Sequence, residues 1–418
     1  MNYNNTEEFA KELDQNDELK SYREKFHFPL DSKGNETIYF TGNSLGLQPK
    51  QTRDYINQEL DDWAKYGVEG HFHAKNPWMP YHEFLTEKLA KVVGAKPLEV
   101  VAMNSLTTNL HLLMVSFFRP QGKKRKIIIE NNEFPSDIYA VKSQLKFHGL
   151  DPEKDLIIAK GKNGSDIIET EDILQLIRDN ADETSMLMFA GVNYYTGQFF
   201  DIEAITKECH KHNIIAGFDL AHATGNVVLK LHDWNVDFAA WCSYKYLNAG
   251  PGGIAGAFVH EKHKNHDGPR FEGWWGTDKK TRFLMKPQFD AIEGVEAWQL
   301  SNPPIFQLAA LNSSLEIFNE VGIEKLREKS EKLSNYIDYL LSTLDSDKIQ
   351  VITPKNLKER GCQLSLRINS GKSVFNRLME EGVIADWREP DVIRIAPVPL
   401  YNSFSDIYKF YKIIKEQI

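Results

Sequence analysis

The chain has 418 residues, of which 41% are hydrophobic and 26% charged, and its formal net charge is −9 at pH 7. This length predicts a large domain and a smaller one, and an acidic balance without a basic block argues against nucleic acid or an anionic membrane as a partner. The 3 cysteines, Cys209, Cys242 and Cys362, form no CxxC pair, which argues against a disulfide scaffold and a zinc site.

The N-terminal stretch is polar and acidic (MNYNNTEEFAKELDQNDELK) and lacks the apolar segment of a signal peptide. No run in the sequence has the apolar length that spans a bilayer. These features predict a cytoplasmic protein.

Short apolar runs alternate with amphipathic stretches between about residue 84 and about residue 260. The runs are EVVAMN, KIIIEN, DLIIAK, SMLMFAGV, IIAGFDLA and DFAAWCSY, and IAGAFV follows after a glycine-rich turn. This alternation is typical of α/β units whose mostly parallel sheet is covered on both faces. We therefore predict a large α/β domain over residues 41–304.

The pattern changes after the prolines of SNPP, residues 301–304. A helix-rich stretch comes first, and the runs IQVITP, GCQLSLRI and VIRIAPV then predict antiparallel strands with a helix among them. We predict a small C-terminal α/β domain over residues 305–418, with an N-terminal segment, residues 1–40, packed against it. A helix that bridges the two domains would blur this boundary.

Polar side chains stand where two of the predicted strands end. Asp219 ends the apolar part of IIAGFD and His222 follows closely, while Lys245 comes after DFAAWCSY. Ligands of open α/β sheets bind beyond the carboxyl ends of the strands, so these groups are expected to converge on one crevice. An aspartate for a pyridinium nitrogen and a lysine for a Schiff base are the two groups that pyridoxal phosphate requires. Taken singly, Asp219 also fits a helix N-cap, and Lys245 fits an exposed hairpin tip.

Two further stretches fit the same cofactor. The segment MNSLTTNL passes from a strand to a helix that begins near Ser105, where free amides and the hydroxyl of Thr107 would bind a phosphate. Phe134 follows the run KIIIEN at a strand end, where its ring would stack on a flat ligand. Simple helix capping by the hydroxyls and a core position for Phe134 are the alternative interpretations.

These residues and several motifs of the chain resemble those of the kynureninase family. Kynureninases are pyridoxal-phosphate enzymes of fold type I and are related to class V aminotransferases. The resemblance covers the chain from about residue 20 to about residue 415, and its motifs are TGNSLGLQP, NEFPSD, NYYTGQ, FDLAHATGNV, CSYKYLNAGPGG, GWWG, SNPP and RIAPVPLYN. An Asp…Lys pair alone would fit any relative of the class V aminotransferases. The stretch DLAHATGN followed by SYKYLN is similar to kynureninases in particular.

The resemblance implies a role for each matching residue. The catalytic residues would be Lys245, which bonds to the cofactor aldehyde, Asp219, which pairs with the pyridine nitrogen, and Tyr244, which contacts the phosphate and acts as an acid. The implied cofactor contacts are Leu106, Thr107, Phe134, Pro135, Ser136, Asp137, Asp219, His222, Tyr244, Lys245, Trp274 and Asn302. The implied substrate contacts are Arg394 for the carboxylate and His71, Ser301 and Asn302 near the aromatic part. No metal is implied, and a position that carries a hydroxyl in some relatives is Ala190 here.

The activity implied by the resemblance is hydrolytic cleavage of the Cβ–Cγ bond of an aryl-ketone amino acid. L-kynurenine would give anthranilate and L-alanine, and 3-hydroxy-L-kynurenine would give 3-hydroxyanthranilate and L-alanine, in tryptophan degradation or NAD biosynthesis. Enzymes of this fold use both subunits to close a site, so a homodimer is implied. The segment TGNSLGLQP would reach across from the partner or form a plain turn.

Two other functions share part of this pattern. A cysteine desulfurase or selenocysteine lyase would need a reactive cysteine over the substrate, and Cys362 is the candidate in the small domain, although its strand-like context favours a structural role. A non-catalytic relative would not be expected to keep Asp219, His222, Lys245 and Arg394 together. The histidines of HFHAK and HKH lack acidic or cysteine partners at metal-binding spacing, so we expect them to be solvated.

Overall fold

The computed structural model describes residues 3–344, 347–369 and 371–417. Its helices are α1 (Glu7–Gln15), α2 (Thr52–Tyr66), α3 (Gly70–His73), α4 (Glu83–Val93), α5 (Leu106–Phe117), α6 (Pro135–Phe147), α7 (Pro152–Asp155), α8 (Thr170–Asp179), α9 (Ile202–Lys211), α10 (Ile305–Val321), α11 (Ile323–Ser342), α12 (Gly371–Glu380) and α13 (Phe404–Gln417). Its strands are β1 (Ile38–Tyr39), β2 (Val100–Ala102), β3 (Lys126–Glu130), β4 (Leu156–Ala159), β5 (Thr184–Ala190), β6 (Ile215–Asp219), β7 (Phe238–Trp241), β8 (Gly256–Val259), β9 (Ile349–Val351), β10 (Leu364–Ile368), β11 (Val383–Ile384), β12 (Asp386–Arg388) and β13 (Val392–Ile395). Within these described ranges, no helix is long and apolar enough to cross a membrane.

The large sheet has seven strands in the order β2-β8-β7-β6-β5-β3-β4. Its neighbouring strands run parallel except at β8, which is antiparallel to both β2 and β7. Each apolar run of the sequence is one of these strands, and side chains alternate between two cores. Ile128 packs on one face, whereas Ile127 and Ile129 pack on the other. The predicted α/β fold with a mostly parallel sheet is confirmed.

This strand order brings the predicted site residues to one edge of the sheet. β6 and β7 are parallel neighbours, so Asp219 at the end of β6 and Lys245 just after β7 meet beyond the same strand ends. Because β2 and β3 run in the same direction as β7, the helices that follow them, α5 and α6, begin at that edge too. The antiparallel β8 carries the chain away from the edge after the glycine-rich turn.

The C-terminal part forms a four-stranded antiparallel sheet in the order β12-β13-β10-β9. Helices α11, α12 and α13 cover it, and its core is separate from those of the large sheet. The N-terminal segment joins this core, because α1 packs on α13 and β1 pairs in parallel with β11. Asp14 adds a polar contact by accepting hydrogen bonds from the backbone N–H groups of Phe404 and Ser405.

The helix that follows the SNPP prolines, α10, packs against α2 and α4 in a core of the large sheet. Along α11, Leu326 still belongs to that core, whereas Leu333 belongs to the core of the small sheet. The change of core therefore falls within α11, later than residue 304, and α11 is the helix that bridges the two layers.

Candidate active site

A cavity of about 350 Å³ opens at the carboxyl edge of the large sheet. It gathers predicted site residues from five separate segments of the chain: Leu106, Thr107, Phe134, Ser136, Asp137, Asp219, His222, Tyr244, Lys245 and Arg394. Pro135 is the first residue of α6, directly between two of the lining residues. Asn43 and Ser44 of the TGNSLGLQP segment line the cavity of their own chain.

Lys245 faces His222 inside this cavity. The Lys245 Nζ atom lies 2.9 Å from Nε2 of His222, whose side chain is buried. Burial and the nearby positive charge of Lys245 lower the pKa of His222 well below its usual value, so the ring is neutral. His222 therefore accepts a hydrogen bond from the Lys245 amine and holds it toward the cavity.

Asp219 offers a carboxylate with spare hydrogen-bonding capacity. Its Oδ1 accepts a 2.7 Å bond from the backbone N–H of Ala221, whereas its Oδ2 has no hydrogen-bond partner among the described residues. The carboxyl group of Asp137 lies close to that of Asp219. Burial raises the pKa of Asp219, and the positive charge of Lys245 opposes that shift. Burial and the neighbouring Asp219 raise the pKa of Asp137 well above its usual value. A buried carboxylate in need of a cationic donor fits a protonated ring nitrogen.

The helix starts of α5 and α6 form a polar end to the cavity. Ser105 precedes α5 without a side-chain capping bond to the backbone, so the first amides of that helix keep their hydrogen-bonding capacity. The hydroxyl groups of Thr107 and Ser136 lie 2.8 Å apart and join the two helix starts. Amides, hydroxyls and the helix dipole at one place fit a phosphate group.

The side of the cavity between these ends is flat and apolar. Phe134 is 42% exposed, so it is not the core residue that the alternative interpretation required. Its ring meets Tyr194 edge-on with centroids 5.3 Å apart, and its centroid lies 5.9 Å from Lys245 Nζ. Ala221 lines the same space. A planar aromatic ligand fits here, and the residues present therefore suit pyridoxal phosphate.

Ala190 also lines the cavity, where it has no hydroxyl to offer. Its backbone N–H donates to the carboxylate of Glu130, at 3.1 and 3.2 Å to the two oxygens. Neither the side chain nor the N–H of Ala190 is therefore free to replace the hydroxyl contact of other relatives.

Arg394, on β13, reaches the cavity from the small domain. Only 1% of the residue is exposed, and its guanidinium donates to the Asp386 carboxylate and to the backbone carbonyl of Tyr194. Arg388 on the neighbouring strand lines the cavity as well. A substrate carboxylate would find two cationic side chains at this end.

Besides Pro135, four predicted site residues do not line this cavity: His71, Trp274, Ser301 and Asn302. His71 and Asn302 instead line a second cavity of about 270 Å³, together with Trp78 and Trp275. Trp274 is 39% exposed and donates its indole N–H to the carbonyl of Arg282, and Ser301 is exposed. Within one chain, these residues are not brought to Lys245.

Several residues of the cavity escaped the sequence analysis. Glu130 and Glu133 are buried carboxyl groups that are hydrogen-bonded to each other near Asp219, and Tyr194 and Asp386 accept hydrogen bonds from Arg394. An acidic residue at the end of an apolar strand, as in KIIIEN, was the available signal for Glu130. Glu133 and Tyr194 lie in the motifs NEFPSD and NYYTGQ, which marked their segments without assigning these two residues a role, and the segment of Asp386 has neither apolar periodicity nor a motif of known chemistry.

Among the described residues, one group of side chains has the composition of a metal site, namely Glu99, His232 and His260. Its ligand atoms are already used within the protein. Glu99 accepts from the N–H groups of Lys96 and Glu261 and pairs with His232, while Nδ1 of His260 accepts from a backbone N–H. The group is satisfied as a hydrogen-bonded cluster.

Cys362, the candidate for a desulfurase nucleophile, is buried among other groups. Its backbone N–H donates to Asn226, and burial raises the pKa of its thiol to about 12. A thiol that stays protonated is a poor nucleophile. The structure therefore gives no support to the desulfurase alternative.

The large sheet, its strand-end cavity and a lysine that faces a buried aspartate define a pyridoxal-phosphate enzyme of fold type I. Solved structures share this fold at low identity. A cysteine desulfurase from Thermococcus onnurineus NA1 has a TM-score of 0.77 and 17% identity over 96% of this chain and 98% of its own. A mutant of C-DES with glycine covalently linked to its PLP cofactor has a TM-score of 0.77 and 17% identity over 90% of this chain and 96% of its own.

Identity to sequence relatives is much higher. The chain is 53% identical to kynureninase from Myxococcus xanthus over 99% of its own length and 97% of the relative, and 47% identical to kynureninase from Mus musculus over 98% and 92%. The family model for the kynureninase C-terminal domain matches residues 326–414. The chain belongs to the kynureninase family, which are hydrolases acting on carbon–carbon bonds with pyridoxal phosphate as cofactor.

Proposed function

We propose that this protein adds water across the Cβ–Cγ bond of L-kynurenine to give anthranilate and L-alanine. The same reaction on 3-hydroxy-L-kynurenine gives 3-hydroxyanthranilate and L-alanine, as a step of tryptophan degradation or NAD biosynthesis. The observation that carries this proposal is the meeting of Lys245, Asp219 and Arg394 in one cavity. Such a cavity suits an α-amino acid that is activated at its α-carbon.

Lys245 is proposed as the residue that bonds to the cofactor and then moves protons. Pyridoxal phosphate, when bound, draws electrons away from the substrate's α-carbon. When the amine of the substrate takes the place of the Lys245 amine, Lys245 would be free to remove the α-proton of the substrate and to donate that proton in a later step. Neutral His222, 2.9 Å away, accepts a hydrogen bond from the amine and keeps it oriented.

Asp219 and Tyr244 take the supporting proton roles in this proposal. The Asp219 carboxylate holds a proton on the ring nitrogen, since a protonated ring is the better electron acceptor. Tyr244 lines the cavity next to Lys245, and burial raises the pKa of its phenol, so the group stays protonated. The phenol therefore carries a proton, and we propose from its position beside Lys245 that it donates this proton during the later steps.

The phosphate and ring contacts follow from the cavity. The amides of Leu106 and Thr107 are proposed to bind the phosphate with the hydroxyl of Ser136, and Phe134 to stack on the ring. Pro135 starts α6 between them, and Asp137 supports Asp219. Arg394 is proposed to bind the substrate carboxylate.

We also propose that the working enzyme is a homodimer in which each site uses both chains. His71 and Asn302 lie in a second cavity, apart from Lys245, and Trp274 has an exposed ring. Helix α2 and the turn after it expose large apolar side chains, with Trp63 59% and Val68 75% exposed. A face of this kind is typical of a surface that another subunit covers. Trp274 and Asn302 would then reach the partner's cofactor, and His71 and Ser301 the partner's substrate.

We propose the division into an N-terminal segment (1–40), a large domain (41–304) and a small domain (305–418), with the difference that α10 and the start of α11 pack in a core of the large sheet. The cavity lies between residues of the large sheet and Arg388 and Arg394 of the small one. A movement of the small domain would therefore open or close the substrate end of the site.

The activity is tested by steady-state kinetics of the purified, cofactor-loaded protein with both substrates, with the aromatic products and L-alanine quantified. We expect equal molar amounts of aromatic acid and L-alanine. A protein that forms no anthranilate from kynurenine, or that releases sulfur from L-cysteine instead, would contradict the proposal.

The shared site is tested by subunit complementation. Lys245→Ala and Asn302→Ala proteins are each expected to be nearly inactive. When the two proteins exchange subunits, one site of each hybrid dimer has an intact Lys245 from one chain and an intact Asn302 from the other, so activity should return in part. A mixture that forms hybrid dimers without regaining activity would contradict the shared site and leave the proposed reaction untouched.

A further inference from the structure

Two arginines in the substrate end of the cavity share one aspartate. Asp386 and Arg394 stand directly opposite each other on β12 and β13, and Arg388 lies two residues further along β12. Oδ2 of Asp386 accepts from Nη2 of Arg394 and, at 3.1 Å, from Nη2 of Arg388. Both guanidinium groups face the same cavity.

Arg394 is held by two hydrogen bonds within the protein, and its positive charge is paired with an aspartate. One terminal nitrogen donates to Asp386 and the other donates to the Tyr194 carbonyl, whereas Nε has no acceptor. Each terminal nitrogen therefore keeps one further N–H for a ligand, but both nitrogens are already held in place by partners within the protein. The Asp386 carboxylate also compensates the positive charge of Arg394 at close range.

The charge that remains uncompensated belongs to Arg388. Among the described residues, Asp386 is the acidic partner found for its side chain, and that carboxylate already pairs with Arg394. Nε of Arg388 likewise has no acceptor. Its side chain is 37% exposed, compared with 1% for Arg394, so it lies nearer to the mouth of the cavity.

From this arrangement we propose that Arg388 is a second substrate-binding residue. It supplies the net positive charge that attracts the carboxylate of the amino-acid substrate, while Asp386 holds the two guanidinium groups beside each other. Arg394 then donates its remaining N–H groups to the same carboxylate, which shares the two guanidinium groups with Asp386. This proposal rests on the proposed function, because it assigns the substrate's carboxylate to this end of the cavity.

The test compares binding of L-alanine with binding of L-alaninamide, which lacks the negative charge. Both are titrated into cofactor-loaded protein and followed by the change in cofactor absorbance, so that no turnover is needed. In Arg388→Gln, we expect the preference for L-alanine over its amide to fall about tenfold, the loss expected for one charged contact that is partly exposed. Arg388→Lys keeps the charge and should keep most of the preference.

Charge rescue separates this role from a structural one. In Arg388→Gln with Asp386→Asn, Arg394 carries an uncompensated charge, so the preference for L-alanine should return in part. The matched control is Arg367→Gln, since Arg367 lies on the same sheet, pairs with Asp166 and Asp391, and does not line the cavity. The Arg367→Gln protein should prefer L-alanine to L-alaninamide as strongly as the wild type does.

Two results would overturn the proposal: a preference in Arg388→Gln equal to that of the wild type, or a double variant that binds L-alanine no better than Arg388→Gln. Failure of the proposed function is visible separately. A wild-type protein that prefers L-alanine to its amide through Arg388 but does not cleave kynurenine would contradict the reaction and support the role of Arg388.

Discussion

Lys245 and His222 form a hydrogen-bonded pair, with 2.9 Å between the lysine Nζ and the histidine Nε2, at the place where β6 and β7 end side by side. The pair is asymmetric, because burial and the lysine charge hold the pKa of His222 well below its usual value. The histidine therefore stays neutral and accepts the hydrogen bond that the lysine amine donates. This arrangement presents the amine to the cavity in one orientation.

Replacement of Lys245 by Ala should remove both the visible absorbance of the lysine-bound cofactor and the turnover of kynurenine. We expect a loss of at least about 10³-fold in kcat, since both covalent attachment and proton transfer are lost. The absorbance spectrum and the rate of anthranilate formation measure the two effects. Lys230→Ala is the control, because Lys230 is exposed and does not line the cavity. A Lys245→Ala protein that turns over at the wild-type rate would refute the assignment of this lysine.

Replacement of Asp219 by Asn should weaken cofactor binding by about tenfold or more, because a neutral amide cannot stabilise a protonated ring nitrogen. Equilibrium dialysis gives the affinity, and exchange of the α-proton of L-alanine in D2O reports on electron withdrawal by the ring. Both should fall together. Asp233→Asn, at an exposed position, should change neither. Normal α-proton exchange in Asp219→Asn would show that another group protonates the ring.

The strands and the site edge were predictable because they depend on local pattern and on one rule of topology. Apolar runs marked each strand of the large sheet, and the rule that ligands bind beyond parallel strand ends brought Asp219 and Lys245 together. The sequence could not predict in the same way that α10 packs in a core of the large sheet. A helix with an apolar face must pack somewhere, but its sequence does not say against which core.

Other parts of the site depend on contacts between distant segments. β12 has the sequence DWR, which has no apolar alternation, so neither the strand nor the pairing of Asp386 with Arg394 could be predicted from it. Glu130 is an acidic residue at a strand end, which commonly faces solvent, yet here it is buried beneath Ala190. Such burial is a property of the assembled sheet.

The buried carboxyl group of Glu130 should make the cofactor-free protein less stable as pH rises. Burial raises the pKa of Glu130 from its ordinary value of 4.5 to about 7. Because the folded pKa is the higher one, its contribution to stability is complete below the ordinary pKa and is lost as pH rises through about 7. The loss is about 3 kcal/mol.

Glu130→Gln keeps an acceptor for the N–H of Ala190 and cannot ionise. Its thermal unfolding midpoint should therefore fall less than that of the wild type between about pH 5 and about pH 8. Glu203→Gln, at an exposed position, should behave like the wild type. Parallel pH profiles for Glu130→Gln and the wild type would mean that Glu130 does not titrate in this range.

The preference between kynurenine and 3-hydroxykynurenine should depend on His71 and Asn302. In the proposed homodimer, the cavity that these two residues line receives the aromatic ring of the substrate bound to the other subunit. His71 bonds through Nδ1 to the carbonyl of Val68 at 2.8 Å and packs edge-on against Trp78, so Nε2 remains available to a ligand. A pocket that only has room for one more hydroxyl discriminates by roughly tenfold to a hundredfold, whereas one that hydrogen-bonds the hydroxyl discriminates more. We expect His71→Ala or Asn302→Ser to change the ratio of kcat/KM for the two substrates by about tenfold.

His73→Ala is the neighbouring control, because His73 is exposed and does not line that cavity. If the ratio stays constant in His71→Ala and Asn302→Ser while the absolute rates fall, these residues position the substrate and do not select it.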